Sequence, residues 1–396
     1  MKELAINGGE PIRKTVLSYG RQTIDEDDIQ AVADTLRGDY LTTGPKVKAF
    51  EEAVAKYVGV KYAVAVSNGT AALHVACLAA GIGKGDEVIV PPITFAASAN
   101  CVLYCGGIPV FTDIEAATGN IDVSKIEEKI TSKTKAIVAV DFTGQSVDID
   151  KIKEIAKKYN LIVIEDGAHS LGSEYKGEKV GTKADLTTFS FHPVKPVTTG
   201  EGGMIVTNDE KLYSNLILFR SHGITREESL LVENHGPWYY EQLELGYNYR
   251  LPDINCALGL SQLNKIDAFI ARRREIVRRY NEAFKDIKEI EIPFEHEYSN
   301  SGWHLYVIRL NLQELNVGRK EIFEALQKEN IGVNVHYLPV YLHPYYKRIG
   351  YKAGLCKESE EYYNRIITLP LFPSMKEQDI LDVITSVNKV INYYKK

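Results

Sequence analysis

The sequence lacks a long uninterrupted apolar run. Its most apolar windows, Ala63–Ala80 and Ile93–Val110, are interrupted by polar residues and glycines. Neither window matches the roughly 20 apolar residues that a membrane-spanning helix needs. The first fifteen residues also contain no apolar stretch of signal-peptide length. We therefore expect a cytoplasmic protein that makes no contact with a membrane.

Cysteine is scarce, and positive charge does not exceed negative charge. Five cysteines, an odd number, fit a reduced cytoplasmic chain better than a disulfide framework. Cys101 and Cys105 share a predicted helix face, but no second pair would complete a zinc site, so we predict no metal site. Lys and Arg total 47 against 53 Asp and Glu, a net charge of −6, which gives no basic surplus for binding nucleic acid.

The abundant aromatic residue is tyrosine, with 24 Tyr against 12 Phe and 2 Trp. A ring with a hydroxyl suits a partly wet surface better than a dry core. Hydrophobic residues at 44% and charged residues at 25% are ordinary for a globular protein and exclude a disordered chain. At about 150 residues per domain, a chain of 396 residues is expected to form two or three domains.

Helical and strand patterns alternate from about residue 25 to residue 210. The strand patterns are short, rich in β-branched residues and apolar at both odd and even positions, which is typical of strands covered on both faces. Alternating strands and helices predict an α/β domain with a largely parallel sheet. The predicted strands are Tyr62–Val66, Glu87–Val90, Ile108–Thr112, Ala136–Val140, Leu161–Ile164, Leu186–Phe189 and Met204–Thr207.

The pattern changes after Pro252, and we place the domain boundary near residue 265. The expected division is a large domain over residues 1–265, including an N-terminal segment, and a small C-terminal domain over residues 266–396. In the small domain we predict strands at Trp303–Leu310 and Val333–Val335, and we interpret the run Arg272–Arg274 as a solvated helix face. In the large domain, Thr23–Glu26 reads as a capping box that begins a helix.

Ligands of an open α/β sheet lie beyond the carboxyl ends of its strands, so the residues that follow each strand are candidates. After Tyr62–Val66 comes Ser67-Asn68-Gly69-Thr70, a small polar turn that begins a helix. Such a turn offers free N–H groups and the positive end of the helix dipole to a phosphate, although an ordinary N-cap has the same sequence.

Two further strands end in polar residues. Asp166 follows Leu161–Ile164, and His169 lies three residues later. A carboxylate here either marks function or simply terminates a strand at the surface. After Leu186–Phe189 come Ser190 and then Lys195, in a turn bounded by Pro and Gly and without any amphipathic reason for a lysine. Phe95, which begins the next helix at the same edge, is either a core residue or a platform for a flat ring.

Taken together, these groups fit one ligand. It must carry a phosphate for the helix N-terminus, a flat ring for Phe95, a basic ring nitrogen for Asp166 and an aldehyde for Lys195. Pyridoxal phosphate has all four. A carboxylate beside the ring nitrogen keeps the ring protonated and makes it an electron sink, and the lysine can serve as Schiff-base partner and general base.

The sequence resembles the pyridoxal-phosphate sugar aminotransferases that act on nucleotide-linked keto-sugars, from about Leu17 to Tyr394. The motifs that carry the resemblance are SNGTAAL at 67–73, PPITFAASAN at 91–100, EDGAHSLGS at 165–173, FSFHPVKPVTTGEGGMIVTND at 189–209, FRSHG at 219–223 and LGYNYRLPDINCALGLSQL at 245–263. The resemblance implies an aspartate-aminotransferase-like fold (fold type I), with a smaller α+β C-terminal domain. It also implies a homodimer whose active sites are built from both subunits.

The resemblance also implies a role for each matched residue. Lys195 would form the Schiff base, and Asp166 would contact the pyridine nitrogen. His169 would pack beside the cofactor ring and Phe95 would stack on it. The implied phosphate ligands are Gly69, Thr70, Ser190 and, from the partner subunit, Asn248. A related branch of dehydratases has histidine at the lysine position, so Lys195 favours transamination.

Within the family, the sequence most resembles the branch in pseudaminic acid biosynthesis that aminates carbon 4 of a UDP-linked 4-keto-6-deoxy-N-acetylhexosamine. The supporting segments include YGRQ at 19–22, YLTT at 40–43 and NVHYLPVYLHPYY at 334–346. By position, the candidates to line the nucleotide-sugar cleft are Tyr19, Thr42, Thr43, His336 and Tyr337. We expect the tyrosines of the cleft and of the partner-facing loop to be half-buried: Tyr19, Tyr40, Tyr239, Tyr240, Tyr247, Tyr249, Tyr337, Tyr341, Tyr345 and Tyr346.

The leading hypothesis is a ping-pong aminotransferase. Glutamate, the donor that the resemblance implies, would convert the cofactor to its pyridoxamine phosphate form, which then aminates the keto-sugar. The alternatives are a sugar 3-aminotransferase, a sugar dehydratase, and a catalytically idle binding protein with the same fold. A nicotinamide oxidoreductase is disfavoured because Gly200–Gly203 does not form the dinucleotide fingerprint.

Overall fold

The computed structural model describes residues 3–396. Within that range the α-helices are α1 Glu26–Arg37, α2 Pro45–Val58, α3 Gly69–Ala79, α4 Ala97–Tyr104, α5 Ile149–Tyr159, α6 Glu210–Arg220, α7 Asp253–Leu263, α8 Ile266–Phe284, α9 Arg319–Lys328, α10 Pro344–Arg348, α11 Lys357–Arg365 and α12 Glu377–Tyr394. The longer strands are β1 Tyr62–Val66, β2 Glu87–Val90, β3 Ile108–Phe111, β4 Thr134–Val140, β5 Ile162–Asp166, β8 Leu186–Ser190, β9 Gly203–Thr207, β14 Tyr306–Leu310 and β15 Ile366–Leu369. The two-residue strands are β6 Glu174–Tyr175, β7 Glu178–Lys179, β10 Ile224–Thr225, β11 Glu241–Gln242, β12 Ile290–Glu291 and β13 Ser299–Asn300.

A seven-stranded sheet in the order β1-β9-β8-β5-β4-β2-β3 forms the centre of the molecule. Strands β3, β2, β4, β5 and β8 pair in parallel, and β9 pairs antiparallel with both β8 and β1. All seven strands occur where the sequence predicts them, with ends that differ by at most two residues. The predicted α/β fold with a largely parallel sheet is confirmed.

The apolar residues of the central strands divide by parity between two core clusters. Val88 and Val138 lie in a cluster with helices α3 and α4 on one face of the sheet. Ile89 and Ile137 lie in a cluster with α5 on the other face. Because successive side chains of a strand point to opposite faces, strands covered on both faces need apolar residues at every position.

Two predictions about local structure in the helices are wrong. Helix α1 is capped by Asp25, which exchanges side-chain to backbone hydrogen bonds with Asp28, so the capping box begins two residues after Thr23. Arg273 is not on a solvated face: it is buried in α8, and its Nη1 donates to the carbonyl groups of Trp303, His304 and Leu371. Burial lowers the pKa of this guanidinium to about 10.

The C-terminal part of the chain has its own sheet and its own core. Strands β12, β14 and β15 form a three-stranded sheet, and α8, α9 and α12 contribute to the apolar cluster around it. Leu4 and Leu17 from the N-terminal segment join the same cluster. The predicted strand Val333–Val335 is wrong, because only an isolated bridge between Asn334 and Thr368 forms there. The boundary near residue 265 stays a prediction.

Candidate active site

A cavity of about 1280 Å³ opens at the carboxyl ends of β5 and β8. It lies where the sequence argument places a ligand, since β5 ends at Asp166 and β8 ends at Ser190. Most of the predicted site residues line this cavity: Tyr19, Gly69, Thr70, Phe95, Asp166, His169, Ser190, Lys195, His336 and Tyr337.

One end of the cavity is formed by the N-terminus of α3. The helix begins at Gly69 because the Asn68 side chain caps it, accepting a 2.8 Å hydrogen bond from the N–H group of Ala71. A Cβ atom at Gly69 would lie 2.8 Å from the Cβ of Ser190, so only glycine allows helix and strand to approach this closely. Free N–H groups, the helix dipole and the hydroxyl groups of Thr70 and Ser190 together fit a phosphate.

The opposite part of the cavity wall presents a buried carboxyl group. Asp166 is the last residue of β5 and is 5% exposed. Its Oδ2 accepts a 2.6 Å hydrogen bond from Ser98 Oγ, and its Oδ1 accepts a 3.2 Å hydrogen bond from the N–H group of Ala168. Burial raises the pKa of Asp166, while these hydrogen bonds and the charge of Lys195 oppose the rise. An oriented, donor-stabilised carboxylate fits a protonated pyridine nitrogen.

Lys195 projects into the cavity from a turn that follows β8. Its N–H group donates to the carbonyl group of His192, and the residues beyond it are held by Asn255, whose Nδ2 donates to the carbonyl group of Thr199 at 2.7 Å. Desolvation lowers the pKa of Lys195 to about 8, and the charge of Asp166 opposes that change. About a tenth of the amine is therefore neutral, and nucleophilic, at pH 7, far more than for an ordinary lysine.

His169 and Phe95 supply ring surfaces at this wall. His169 is buried, with its Nε2 3.4 Å from the hydroxyl oxygen of Tyr337 and its ring 4.5 Å from that of His304. Burial and then the charge of Lys195 hold the pKa of His169 well below its usual range, so the ring is neutral. Phe95 lines the cavity with 61% of its surface exposed. These two rings fit a planar ligand, which is the role predicted for them.

Tyr19, His336 and Tyr337 form the part of the wall contributed by the ends of the chain. The rings of Tyr19 and His336 lie 5.3 Å apart, and His336 Nδ1 is 2.8 Å from Thr368 Oγ1. Burial lowers the pKa of His336 to about 4, so this ring is also neutral. An aromatic, hydroxyl-bearing wall of this kind can contact a sugar or a base.

Three predicted site residues do not reach the cavity of their own chain. Thr42, Thr43 and Asn248 are exposed on the outside of the molecule. Asn248 lies in a segment whose backbone pairs with Ser221. Thr42 lies beside the start of α7, where its carbonyl group accepts a hydrogen bond from Asp253. The resemblance assigns Asn248 to the partner subunit's site, and the exposed position of its side chain is compatible with that prediction.

The prediction that ten tyrosines are half-buried is correct only in part. Tyr19, Tyr239, Tyr247, Tyr249 and Tyr337 are half-buried. Tyr341 and Tyr346 instead belong to the core, where their hydroxyl groups donate to Glu360 and Asn100. Tyr40, Tyr240 and Tyr345 are exposed in the single chain. Each of these two buried tyrosines has a hydroxyl partner elsewhere in the chain, which the composition does not indicate.

Sequence reasoning missed three groups at this site. Thr94 is hydrogen-bonded to Ser98 and Ser98 to Asp166, and the ring of His304 contacts that of His169 at a tilt of 45°. Thr94 and Ser98 are four residues apart near the start of a helix, a spacing that places two side chains on the same helix face. From that spacing, both hydroxyl groups could have been predicted to face the sheet edge at which Asp166 lies. For His304 the sequence offered no signal beyond its position before a strand.

Comparisons with known proteins agree with this geometry. The model of the DegT/DnrJ/EryC1/StrS aminotransferase family matches residues 22–388. The spore coat polysaccharide biosynthesis protein SpsC of Bacillus subtilis is 43% identical over 96% of this chain and 98% of its own. The UDP-4-amino-4,6-dideoxy-N-acetyl-beta-L-altrosamine transaminase of Campylobacter jejuni is 41% identical over 96% of this chain and 99% of its own.

Solved structures share the fold over nearly the whole chain. PseC of Helicobacter pylori, an aminotransferase involved in the biosynthesis of pseudoaminic acid, has a TM-score of 0.89 at 35% identity, covering 96% of this chain and 100% of PseC. Spr1654 of Streptococcus pneumoniae in its PLP form has a TM-score of 0.88 at 32% identity, covering 96% of this chain and 99% of its own. In residues 3–396, no helix combines the length and the apolar character that crossing a membrane requires.

Proposed function

The chain belongs to the DegT/DnrJ/EryC1/StrS aminotransferase family, and on that premise we propose that it transfers an amino group from glutamate to carbon 4 of a UDP-linked 4-keto-6-deoxy-N-acetylhexosamine. It is a sugar aminotransferase with the fold type I architecture. One observation carries the proposal: an amine of lowered pKa, a buried carboxyl group and a free helix N-terminus line one cavity.

The residues of this cavity fit pyridoxal phosphate. Gly69, Thr70 and Ser190 would hold its phosphate, and Phe95 and His169 would face its ring. When bound, this cofactor supplies a protonated ring that accepts the electron pair released at the substrate carbon. Asp166 would keep that ring protonated, because a carboxylate beside a basic nitrogen favours the charged form.

Lys195 would bind the cofactor covalently and move the proton in both half-reactions. Its lowered pKa makes the amine available as a nucleophile, and the same property suits a general base near neutral pH. His169, His304 and His336 are neutral around it, since burial lowers the pKa of each ring. Because a lowered pKa makes each of these three rings a weak base, we assign the proton transfer to Lys195.

The substrate proposal depends on the wall formed by Tyr19, His336 and Tyr337. These rings lie beyond Phe95, with the rings of Phe95 and Tyr337 6.2 Å apart, so a sugar would contact them next to the cofactor ring. The closer definition comes from the name of the Campylobacter jejuni relative, a transaminase of a UDP-linked 4-amino-4,6-dideoxy sugar, and from that of PseC, an aminotransferase of pseudoaminic acid biosynthesis. The 4-keto sugar we propose is the substrate from which transamination gives such a 4-amino sugar. Thr42 and Thr43 do not line the cavity of their own chain, so they would contact the sugar only if a second copy of the chain supplied them.

A homodimer with shared active sites is the proposed assembly. The segment 222–249 carries six large apolar side chains that are exposed in the single chain, within a stretch of sixteen residues. Such a cluster is typical of a protein interface. Asn248 lies at the end of this segment, and the proposed dimer would bring it to the phosphate site of the partner. The exposed apolar side chains of the segment are Leu230, Val232, Trp238, Tyr240, Leu243 and Leu245.

Product analysis tests the proposed reaction directly. The protein, loaded with pyridoxal phosphate, is incubated with glutamate and a panel of UDP- and dTDP-linked 4-keto sugars, and each product is identified by NMR. We expect an amine at carbon 4 of the UDP-linked acetamido sugar. An amine at carbon 3, or a deoxygenated product without an amine, contradicts the proposal. Lys195→Ala is the inactive control, and Lys183→Ala, in a surface ion-pair network, is the matched active control.

A further inference from the structure

Thr94, Ser98 and Asp166 form a continuous chain of hydrogen bonds in the wall of the cavity. Thr94 Oγ1 lies 2.7 Å from Ser98 Oγ, and Ser98 Oγ lies 2.6 Å from Asp166 Oδ2. All three residues are buried, with exposures of 3%, 0% and 5%. Ser98 is in α4 and Thr94 in the turn before it, whereas Asp166 ends β5. The chain therefore connects the α4 region to the carboxyl group of the site.

The distances assign a direction to this chain. A serine hydroxyl has one proton, and Ser98 has two acceptors in reach, Asp166 Oδ2 at 2.6 Å and the carbonyl oxygen of Phe95 at 3.3 Å. The shorter contact has the length of a hydroxyl bound to an ionised carboxylate. With its proton committed to Asp166, Ser98 can only accept from Thr94. Each hydrogen bond then polarises the next, which strengthens the donor that Asp166 receives.

Asp166 is buried close to other acidic side chains, and a buried carboxylate needs hydrogen-bond donors to keep its charge. Glu165 precedes Asp166 in β5, and Asp141 directly follows the adjoining strand β4. Both are buried, and the Asp141 N–H group donates to the carbonyl group of Asp166. Burial raises the pKa of Glu165 to about 7, and burial and Glu165 raise that of Asp141. Desolvation acts on Asp166 in the same direction, and donors are what oppose it. The other titratable groups facing Asp166 are Lys195, His169 and Tyr337.

We propose that Thr94 and Ser98 are positioning residues that orient Asp166 and hold it in its ionised form against the cost of burying its charge. Neither hydroxyl contacts the reacting atoms; each acts through Asp166. The importance of this role for catalysis rests on the proposed function, since an ionised Asp166 is what a protonated cofactor ring requires. The hydrogen-bond chain itself belongs to the protein and is testable without any cofactor.

We call the hydrogen-bond chain of Thr94, Ser98 and Asp166 the relay. Paired variants distinguish the effect of breaking the relay from the effect of changing side-chain packing. Thr94→Val removes the hydroxyl and keeps the shape, whereas Thr94→Ser keeps the hydroxyl and removes a methyl group. Ser98→Ala removes the direct donor. Ser386→Ala is the matched control, because Ser386 is also a buried helical serine and its hydroxyl has no partner in residues 3–396. If Ser98→Ala does not fold, Thr94→Val carries the test.

The measurement is the titration of the Asp166 carboxyl carbon by NMR in the full-length protein labelled with carbon-13 at aspartate, with Asp166→Asn identifying the signal. Loss of one hydrogen bond to a charged group corresponds to about tenfold in the ionisation constant. We expect the pKa of Asp166 to rise by about one in Ser98→Ala and by less in Thr94→Val. Thr94→Ser and Ser386→Ala should leave it unchanged.

An unchanged pKa in both Ser98→Ala and Thr94→Val overturns the proposal, as does an equal rise in Thr94→Ser. The same titration after addition of pyridoxal phosphate tests the proposed function separately. If the unaltered chain does not bind pyridoxal phosphate, the proposed function fails, while the relay is still judged on the titration without cofactor. If binding occurs and the relay variants titrate like the unaltered chain, only the relay is wrong.

Discussion

The inner wall of the cavity and the outer segment 222–249 differ in whether their side chains find partners within one chain. On the inner wall, Asp166 accepts two hydrogen bonds and desolvation lowers the pKa of Lys195. On the outer segment, Val232, Leu245 and Trp238 are 85%, 76% and 72% exposed. A single chain thus brings the amine and the carboxyl group together but leaves its outer segment without a partner. This difference favours a second copy as the missing part.

The largest effect is expected at the inner wall, from Lys195→Ala. Removing the amine removes both the covalent attachment and the proton carrier, so transamination should fall by at least about a thousandfold. Single-turnover assays with purified protein measure this loss, and Lys183→Ala is the matched surface control. Turnover close to that of the unaltered protein would show that Lys195 is not the reactive lysine.

Asp166→Asn should have the next largest effect. The amide keeps the shape of the side chain but cannot stabilise a protonated ring nitrogen, so the rate should fall by about a hundredfold or more. Binding of pyridoxal phosphate should weaken much less, because the proposed phosphate site is at the N-terminus of α3, away from this carboxyl group. Comparing kcat with cofactor affinity separates the two effects. Asp150→Asn, which breaks only exposed ion pairs, is the control, and equal rates in both variants would contradict the assignment.

On the outer segment, Trp238→Asp and Leu245→Asp should weaken association of the two copies by about tenfold or more, because a buried charge replaces an apolar anchor. Sedimentation over a range of concentrations measures the monomer–dimer equilibrium. Leu381→Asp, on an exposed position of α12, is the matched control. If Asn248 serves the partner, the monomeric variants should also bind pyridoxal phosphate more weakly. If both variants leave the monomer–dimer equilibrium unchanged, segment 222–249 is not the interface between the two copies.

The smallest effect concerns pH. Burial lowers the pKa of Lys195 to about 8, so its amine is mostly neutral above that pH and mostly protonated below it. Only the neutral amine reacts with an aldehyde, so the rate of pyridoxal phosphate capture should fall by about fivefold from pH 8 to pH 7. Stopped-flow absorbance follows this reaction. A rate that still rises steeply above pH 10 would show that Lys195 has the pKa of an ordinary surface lysine.

Local patterns predicted the parts of the fold and site that depend on local chemistry. The seven central strands were located from short apolar runs. Lys195 was singled out because it lies in a turn bounded by Pro and Gly, where no amphipathic pattern accounts for a lysine. Contacts between distant residues were not predictable. Ser98 pairs with Asp166 across 68 positions, and Arg273 is buried because three carbonyl groups of other elements converge on it. Asp25 capped α1 in place of Thr23 because neighbouring polar residues compete for that position.

Reductive trapping tests the central claim most directly. The purified protein is mixed with pyridoxal phosphate, reduced with borohydride and digested, and the peptides are examined by mass spectrometry. We predict one phosphopyridoxyl group per chain, attached to Lys195, and none after prior incubation with glutamate, which converts the cofactor to its amine form. Labelling of another lysine, or no stoichiometric labelling, would contradict the assignment of this cavity as a pyridoxal phosphate site.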